Sequence, residues 1–176
     1  MVTAVEQTVR MLERVVQGLP IGTNLAIFCL FWAILCGAFL RSRGAVFPAL
    51  LSLGLTQAQV RRCSQALREG VWSIEALVQS FRAALLAQGH WQPNQYEGFH
   101  PVAGDLTAFW RPRLKGWTAK FFHSLAGHAV KGVGFGLLVE VGQAGGLRIP
   151  LLRLILRAKG KKGQQEATRQ LLQAAA

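Results

Sequence analysis
Asp105 is the only aspartate in the chain, and it stands in the middle of His100-Pro101-Val102-Ala103-Gly104-Asp105-Leu106-Thr107-Ala108-Phe109-Trp110. That run is apolar and β-prone after a turn-rich approach, which predicts a strand. A carboxylate inside a half-buried strand is costly unless something positive meets it. The usual reasons to keep one are an ion pair, a metal ion or acid–base chemistry. The residues that follow are positive: Arg111, Arg113, Lys115 and Lys120, interleaved with Trp110, Trp117, Phe121 and Phe122. One strand carboxylate followed by a basic and aromatic loop points to a metal-assisted site that handles phosphates.

Other constellations carry less. His123 either contacts a phosphate or carboxylate beside Lys120 or is a satisfied structural histidine. His128, five residues on and across Gly127, makes a poor partner for shared metal ligation. No Gly-x-Ser-x-Gly surrounds Ser124, so a serine hydrolase has little support. Gly132-Val133-Gly134-Phe135-Gly136 lacks the Gly-Lys-Ser/Thr ending of a phosphate-binding loop and reads as the start of a strand. Glu140 and Glu166 are the only acids after Asp105.

Further runs carry a family resemblance. Trp91-Gln92-Pro93, Tyr96-Glu97-Gly98, Pro101-Val102-Ala103-Gly104-Asp105-Leu106-Thr107, Phe109-Trp110-Arg111-Pro112, Lys120-Phe121-Phe122-His123 and Ala126-Gly127 read this way. So do Gly22-Thr23-Asn24-Leu25 and Ser42-Arg43-Gly44-Ala45-Val46-Phe47-Pro48-Ala49-Leu50. The chain resembles bacterial insertion-sequence transposases of the DDE type, from about residue 20 to residue 155. The resemblance implies that Asp105 is the first of three carboxylates that hold two Mg²⁺ ions in a complete enzyme. It implies transposon-end DNA as partner, a further copy or a full-length transposase as a possible oligomeric partner, no small-molecule cofactor, and a cytoplasmic, nucleoid-associated protein. The family's other two carboxylates have no counterpart here, so the expectation is a chain that stops before the second of them and is catalytically incomplete alone.

The elements that must position these residues follow from composition and periodicity. At 176 residues the chain allows one domain or two small ones. Residues 1–99 carry eight Arg and five Glu, a balance of +3, whereas residues 100–176 carry twelve Lys or Arg and three acids, a balance of +9. A strongly basic half predicts a polyanion: nucleic acid first, an anionic membrane surface second, with a merely solvated basic surface as the bland alternative. The three cysteines form no C-x-x-C pair, which fits a reducing compartment and no zinc site. Cys29 and Cys36 are expected on one helical face.

Val5, Val9, Leu12, Val16 and Leu19 recur as the stripe of a first helix, with Glu6 and Arg10 paired on its other side. Leu25 to Leu40 is sixteen residues without a charge, short of the ~20 that span a bilayer. It predicts a helix at the centre of a bundle, capped by Thr23 or Asn24. The alternative is a small non-catalytic membrane-associated protein that uses 25–40 and a basic tail. Ala45–Leu53, a turn at Gly54-Leu55, and a helix from the capping box Thr56-Gln57-Ala58-Gln59 to Glu69 form a helix-turn-helix candidate. Its second helix turns Arg61, Gln65 and Arg68 outward, either to meet DNA or simply to meet water. Ser73 caps a helix to about Gln88, with Ile74, Leu77, Phe81 and Leu85 buried and Trp72 as a core anchor.

Residues 89–98 read as a linker. Beyond it Phe135, Leu137, Val139 and Val141 alternate as a strand does, Gly145-Gly146 turns a hairpin, and Pro150 confines the returning strand to an edge. Lys159 to Gly163 reads as a basic loop, and Gln164 to Ala175 as an amphipathic helix. The expected class is α+β. Residues 1–88 form a helical, DNA-engaging bundle with a helix-turn-helix-like unit. Residues 99–176 supply the first antiparallel strands of what the resemblance makes a ribonuclease-H-like domain. Asp105 is the candidate catalytic and metal residue. The DNA-binding candidates are Arg61, Gln65, Arg68, Arg111, Arg113, Lys115, Lys120 and His123.

Overall fold
A computed structural model describes residues 3–111, 113, 115–116, 118–158 and 160–176. The expectations placed on Pro112, Trp117 and Lys159 lie outside them. The protein is α+β and forms two compact units, residues 1–87 and 88–176.

The first unit is helical. Helix α1 (Ala4–Val16) starts at Thr3, whose Oγ1 accepts the Glu6 N–H while the Glu6 carboxylate accepts the Thr3 N–H at 2.7 Å. This reciprocal cap satisfies two otherwise orphaned donors. It also turns Glu6 back on its own helix end, away from the expected pairing with Arg10. Val15, Val16 and Leu19 are buried, but Val5, expected in the stripe, is 61% exposed.

The apolar run is broken. Helix α2 (Thr23–Leu35) ends at Cys36, and Gly37 takes a left-handed conformation (φ 68°) before the short α3 (Ala38–Arg41). Asn24 Oδ1 accepts the Gly22 and Leu25 N–H groups, at 3.1 and 2.7 Å, and Thr23 lies inside the helix. A central, all-round buried helix does not form: Ala26, Ile27 and Ala33 are buried, whereas Leu25, Ile34, Leu35 and Leu40 are exposed. The small side chains of Ala26 and Ala33 let neighbouring helices approach on one side only. No helix among the described residues is long and apolar enough to cross a membrane.

Helix α4 (Val46–Leu51), a turn at Gly54 (φ 84°) and α5 (Gln57–Glu69) follow. Thr56 Oγ1 accepts the Gln59 N–H, and the Gln59 side chain accepts the Thr56 N–H at 2.8 Å. Val60 and Cys63 pack with Ala33, Ala49 and Leu50. Burial and the neighbouring Cys63 thiol push the Cys29 thiol above its usual range. Cys29 therefore meets Cys63, while Cys36, expected on its face, is exposed. Helix α6 (Ile74–Leu86) is capped by Ser73, whose Oγ accepts the Ala76 N–H at 3.1 Å. Its buried residues are Val78 and Ala84; Ile74, expected inside, is exposed. Trp72 packs against the cluster of Val16, Leu19 and Ile27, and its Nε1–H donates to the Leu67 carbonyl at 3.1 Å.

The second unit is a sheet built on one long strand. Its elements are β1 (Gln92–Pro93), β2 (Val102–Trp110), β3 (Lys120–His123), β4 (His128–Ala144), β5 (Leu147–Ala158) and α7 (Gly160–Ala175). Every strand pairs antiparallel with β4. The hydrogen bonds fix the sides. Lys131 O accepts the Arg111 N–H at 2.7 Å, while the Gly132 N–H donates to Ala119 O at 3.2 Å. Successive residues of a strand direct their backbone groups to opposite edges. So β2 and β1 flank one edge of β4, and β5 and β3 flank the other.

Pro150 shows why the register is stable. It lies opposite Val141. Val141 spends its backbone on the other neighbour, donating to Pro101 O at 3.0 Å and accepting the Asn94 N–H at 2.9 Å. No donor is needed at position 150, and among the described residues β5 pairs with β4 alone, at a sheet edge.

Residues 89–98 pack as part of this unit. Trp91 is buried over Gly142, and its Nε1–H donates to Ile149 O at 2.9 Å. Residues 160–163, read as a basic loop, belong to the start of α7.

Candidate nucleic-acid interface
Alternation along β4 sorts the sheet into two faces. One carries Gly132, Gly134, Gly136, Leu138 and Gly142, all buried. A Cβ at Gly134 would stand 2.5 Å from the Phe121 ring, and one at Gly136 would stand 3.1 Å from Leu171 of α7. These glycines let Phe121, Ala158, Ala167 and Leu171 close directly onto the strand.

The opposite face holds the odd-numbered residues of β4: Ala129, Lys131, Val133, Phe135, Leu137, Val139 and Val141. Their register partners share that face. Asp105 opposes Leu137, Thr107 and Arg157 flank Phe135, and Phe109 opposes Val133. Lys120 opposes Lys131 and Phe122 opposes Ala129. Arg111 continues the β2 ladder through its bond to Lys131 O and so stands on the other side of that lysine. Arg111, Lys131 and Lys120 thus form a row across three strands of one face. Among the described residues neither Lys120 nor Lys131 has an acidic partner. Lys131 gave no motif in the sequence; only the register reveals it.

Asp105 is on the same face as this row, and it is exposed. It therefore lacks the desolvation that would demand a counter-charge. Glu140 has the opposite parity and lines a cavity of about 380 Å³ with Trp91, His100 and Arg153 on the α7 side. No group of three or more His, Cys, Asp or Glu side chains that could hold a metal ion occurs among the described residues. Two cations about 4 Å apart need several carboxylates. The residues present therefore do not make a two-metal centre by themselves.

The remaining predicted residues fall in separate places. Arg113 and Lys115 are exposed in the segment between β2 and β3. His123 is on the α7 side: its ring lies 4.3 Å from that of Trp110, and its Nδ1 accepts the Ala126 N–H at 3.3 Å. It caps the 3-10 turn Ser124–Ala126, a structural task that takes it away from the cation row. His128 is likewise occupied, its Nδ1 lying 2.7 Å from Ala126 O. In the first unit Arg61, Gln65 and Arg68 all lie exposed on α5, and the Gln65 amide donates to Glu69 at 2.9 Å. No protein-family model matches the chain, and neither a curated protein nor a solved structure matches it.

Proposed function
We propose that the chain is the N-terminal part of a DDE-type transposase that binds transposon-end DNA. The observation that carries this reading is the row Arg111–Lys131–Lys120 on the sheet face that also presents Asp105. Three adjacent cations with no acidic partner among the described residues suit the phosphates of a nucleic-acid backbone, where each contact releases condensed counterions. Exposed Arg113 and Lys115 extend the positive field, and His123 lies behind it.

The strand order supports a ribonuclease-H-like reading of residues 99–176. The Asp-bearing β2 lies antiparallel along one edge of β4, the hairpin partner β5 lies along the other, and α7 follows β5. The α4–α5 pair, with its Thr56 cap and exposed Arg61, Gln65 and Arg68, supports a helix-turn-helix role in the first unit. In a complete enzyme Asp105 would contribute to binding Mg²⁺, which supplies electrophilic help to phosphodiester cleavage and strand transfer. Residues 1–176 would supply one aspartate toward that site, on the sheet face that also carries the cation row.

The test is a titration of the protein with a DNA duplex at several salt concentrations. Six or so phosphate contacts predict a log–log slope of about −5. A slope near zero would contradict the proposal.

A further inference from the structure
We infer that the open face of the sheet is a platform for unpaired nucleotides, on which Phe109 and Phe122 stack bases while Arg111, Lys131 and Lys120 hold the phosphates between them. This rests on the nucleic-acid reading above and narrows its ligand to a single strand.

Phe122, the cation row and Phe109 lie at the levels of β4 residues 129, 131 and 133. Two residues along a strand advance about 6.7 Å. Along β4 the face therefore reads aromatic, cationic, aromatic in equal steps, with Phe122 on β3 and Phe109 on β2 at opposite edges of β4, so that a strand whose phosphates lie on the cation row has a ring on each side for its projecting bases.

Both rings are available. Phe109 is 56% exposed and Phe122 is 67% exposed. Each opposes a smaller residue, Val133 or Ala129, so nothing opposite covers it. Phe109 is held by an edge-on contact with Phe135, ring centroids 5.9 Å apart. A ring fixed on a rigid sheet loses little entropy when a base stacks on it.

The chemistry selects the ligand. In a duplex the base faces are stacked on one another, so phenyl rings on a sheet have no access to them. Unpaired bases expose those faces and stack on aromatic side chains without sequence preference. The apolar neighbours Val133, Leu137, Val139 and Ile155 also share this face. They suit bases and gain nothing from phosphates. Lys131 and Arg111 next to Lys120 exclude a purely apolar protein segment as the favoured occupant, since it would leave three cations without anions.

The experiment uses the full chain, a fluorescent oligothymidylate of about a dozen nucleotides and a labelled duplex of the same length. Binding is read by anisotropy for the wild type, Phe109→Leu, Phe122→Leu and the double variant. Circular dichroism and thermal melting confirm that the variants are folded. Each ring change is expected to weaken single-strand binding at least about fivefold and duplex binding less than about twofold. Single-strand affinity unchanged in both variants, or reduced in parallel with duplex affinity, would overturn the platform. Duplex binding without single-strand binding would overturn it and leave the broader proposal standing. Failure to bind either nucleic acid would remove both. A dimer that dissociates on Phe122→Leu, with no change in oligonucleotide binding, would assign the face to a second copy of the chain instead.

Discussion

Lys120 and Lys131 stand directly opposite each other across β3 and β4, two ammonium groups at paired positions on one sheet face. Like charges so placed are destabilising by a few tenths of a kcal/mol or more. Natural sheets usually place an acid at one member of such a pair. Keeping two lysines with Arg111 beside them is a cost in stability that an anionic ligand would offset. Lys131→Gln is therefore expected to raise the melting temperature slightly at low salt while weakening nucleic-acid binding. Added salt should shrink the stability difference by screening. A variant that is less stable than wild type at low salt would contradict this.

Gly134 tests how the covered face is packed. Phe121 is 2% exposed and lies where a Gly134 side chain would go. Gly134→Val should force the ring aside and cost roughly 1–3 kcal/mol or more, as overpacking does. The readout is the denaturant midpoint of the transition that reports the second unit. An unchanged midpoint would show that Phe121 can move freely.

Ala33 tests the helical unit. It is fully buried among Ala26, Ala49, Leu50, Val60 and Cys63. Ala33→Asp would place an uncompensated carboxylate there, at a cost of ~3–5 kcal/mol. Loss of helical circular dichroism and rapid proteolysis within residues 1–87 are expected. Retention of wild-type helicity would mean that the cluster opens to water.

These outcomes bear on how much of the molecule was legible in its sequence. Caps were: Thr56 with Gln59, and Ser73, are local, and local chemistry is written in consecutive residues. Pro150 at an edge was legible for the same reason, since a missing donor has few places to go. Helix rotation was not. Ile74 is as apolar as Val78, and only the neighbouring helices decide which is buried. The break at Gly37 was masked by the apolar residues on both sides of it. Strand β3 and the first residues of β4, 128–131, were not foreseen; Gly132–Gly136 was legible as the start of a strand, but the reason for its glycines is Phe121, Leu106 and Leu171 in distant stretches. At the candidate site, the cations before and after the loop were visible individually. That Arg111 and Lys120 meet at Lys131, while His123 turns to the other face, depends on register alone.

Asp105 carries the prediction on catalysis. It is the one acid placed on its face by the register, and a single carboxylate holds Mg²⁺ weakly, since the ion keeps its waters. The purified chain is expected neither to nick nor to join DNA in Mg²⁺ or Mn²⁺. Asp105→Asn should leave DNA affinity unchanged or slightly raised, because it removes a negative charge from the face of the cation row, six residues and about 20 Å along β4 from Lys131. Metal-dependent cleavage that disappears in Asp105→Asn would show that a complete site assembles after all, for example across a dimer.

The proposed grip of the cation row on a nucleic-acid backbone must show in the counterions that binding releases. The most direct measurement is the salt dependence of DNA affinity for the wild type beside Arg111→Gln, Lys120→Gln, Lys131→Gln and the triple variant, with the exposed Arg169 of α7 replaced by Gln as a control. Each phosphate contact removed should flatten the log–log slope by about one unit. A slope about three units shallower is expected in the folded triple variant and an unchanged slope in the control. A triple variant that keeps the wild-type slope would contradict the proposed grip.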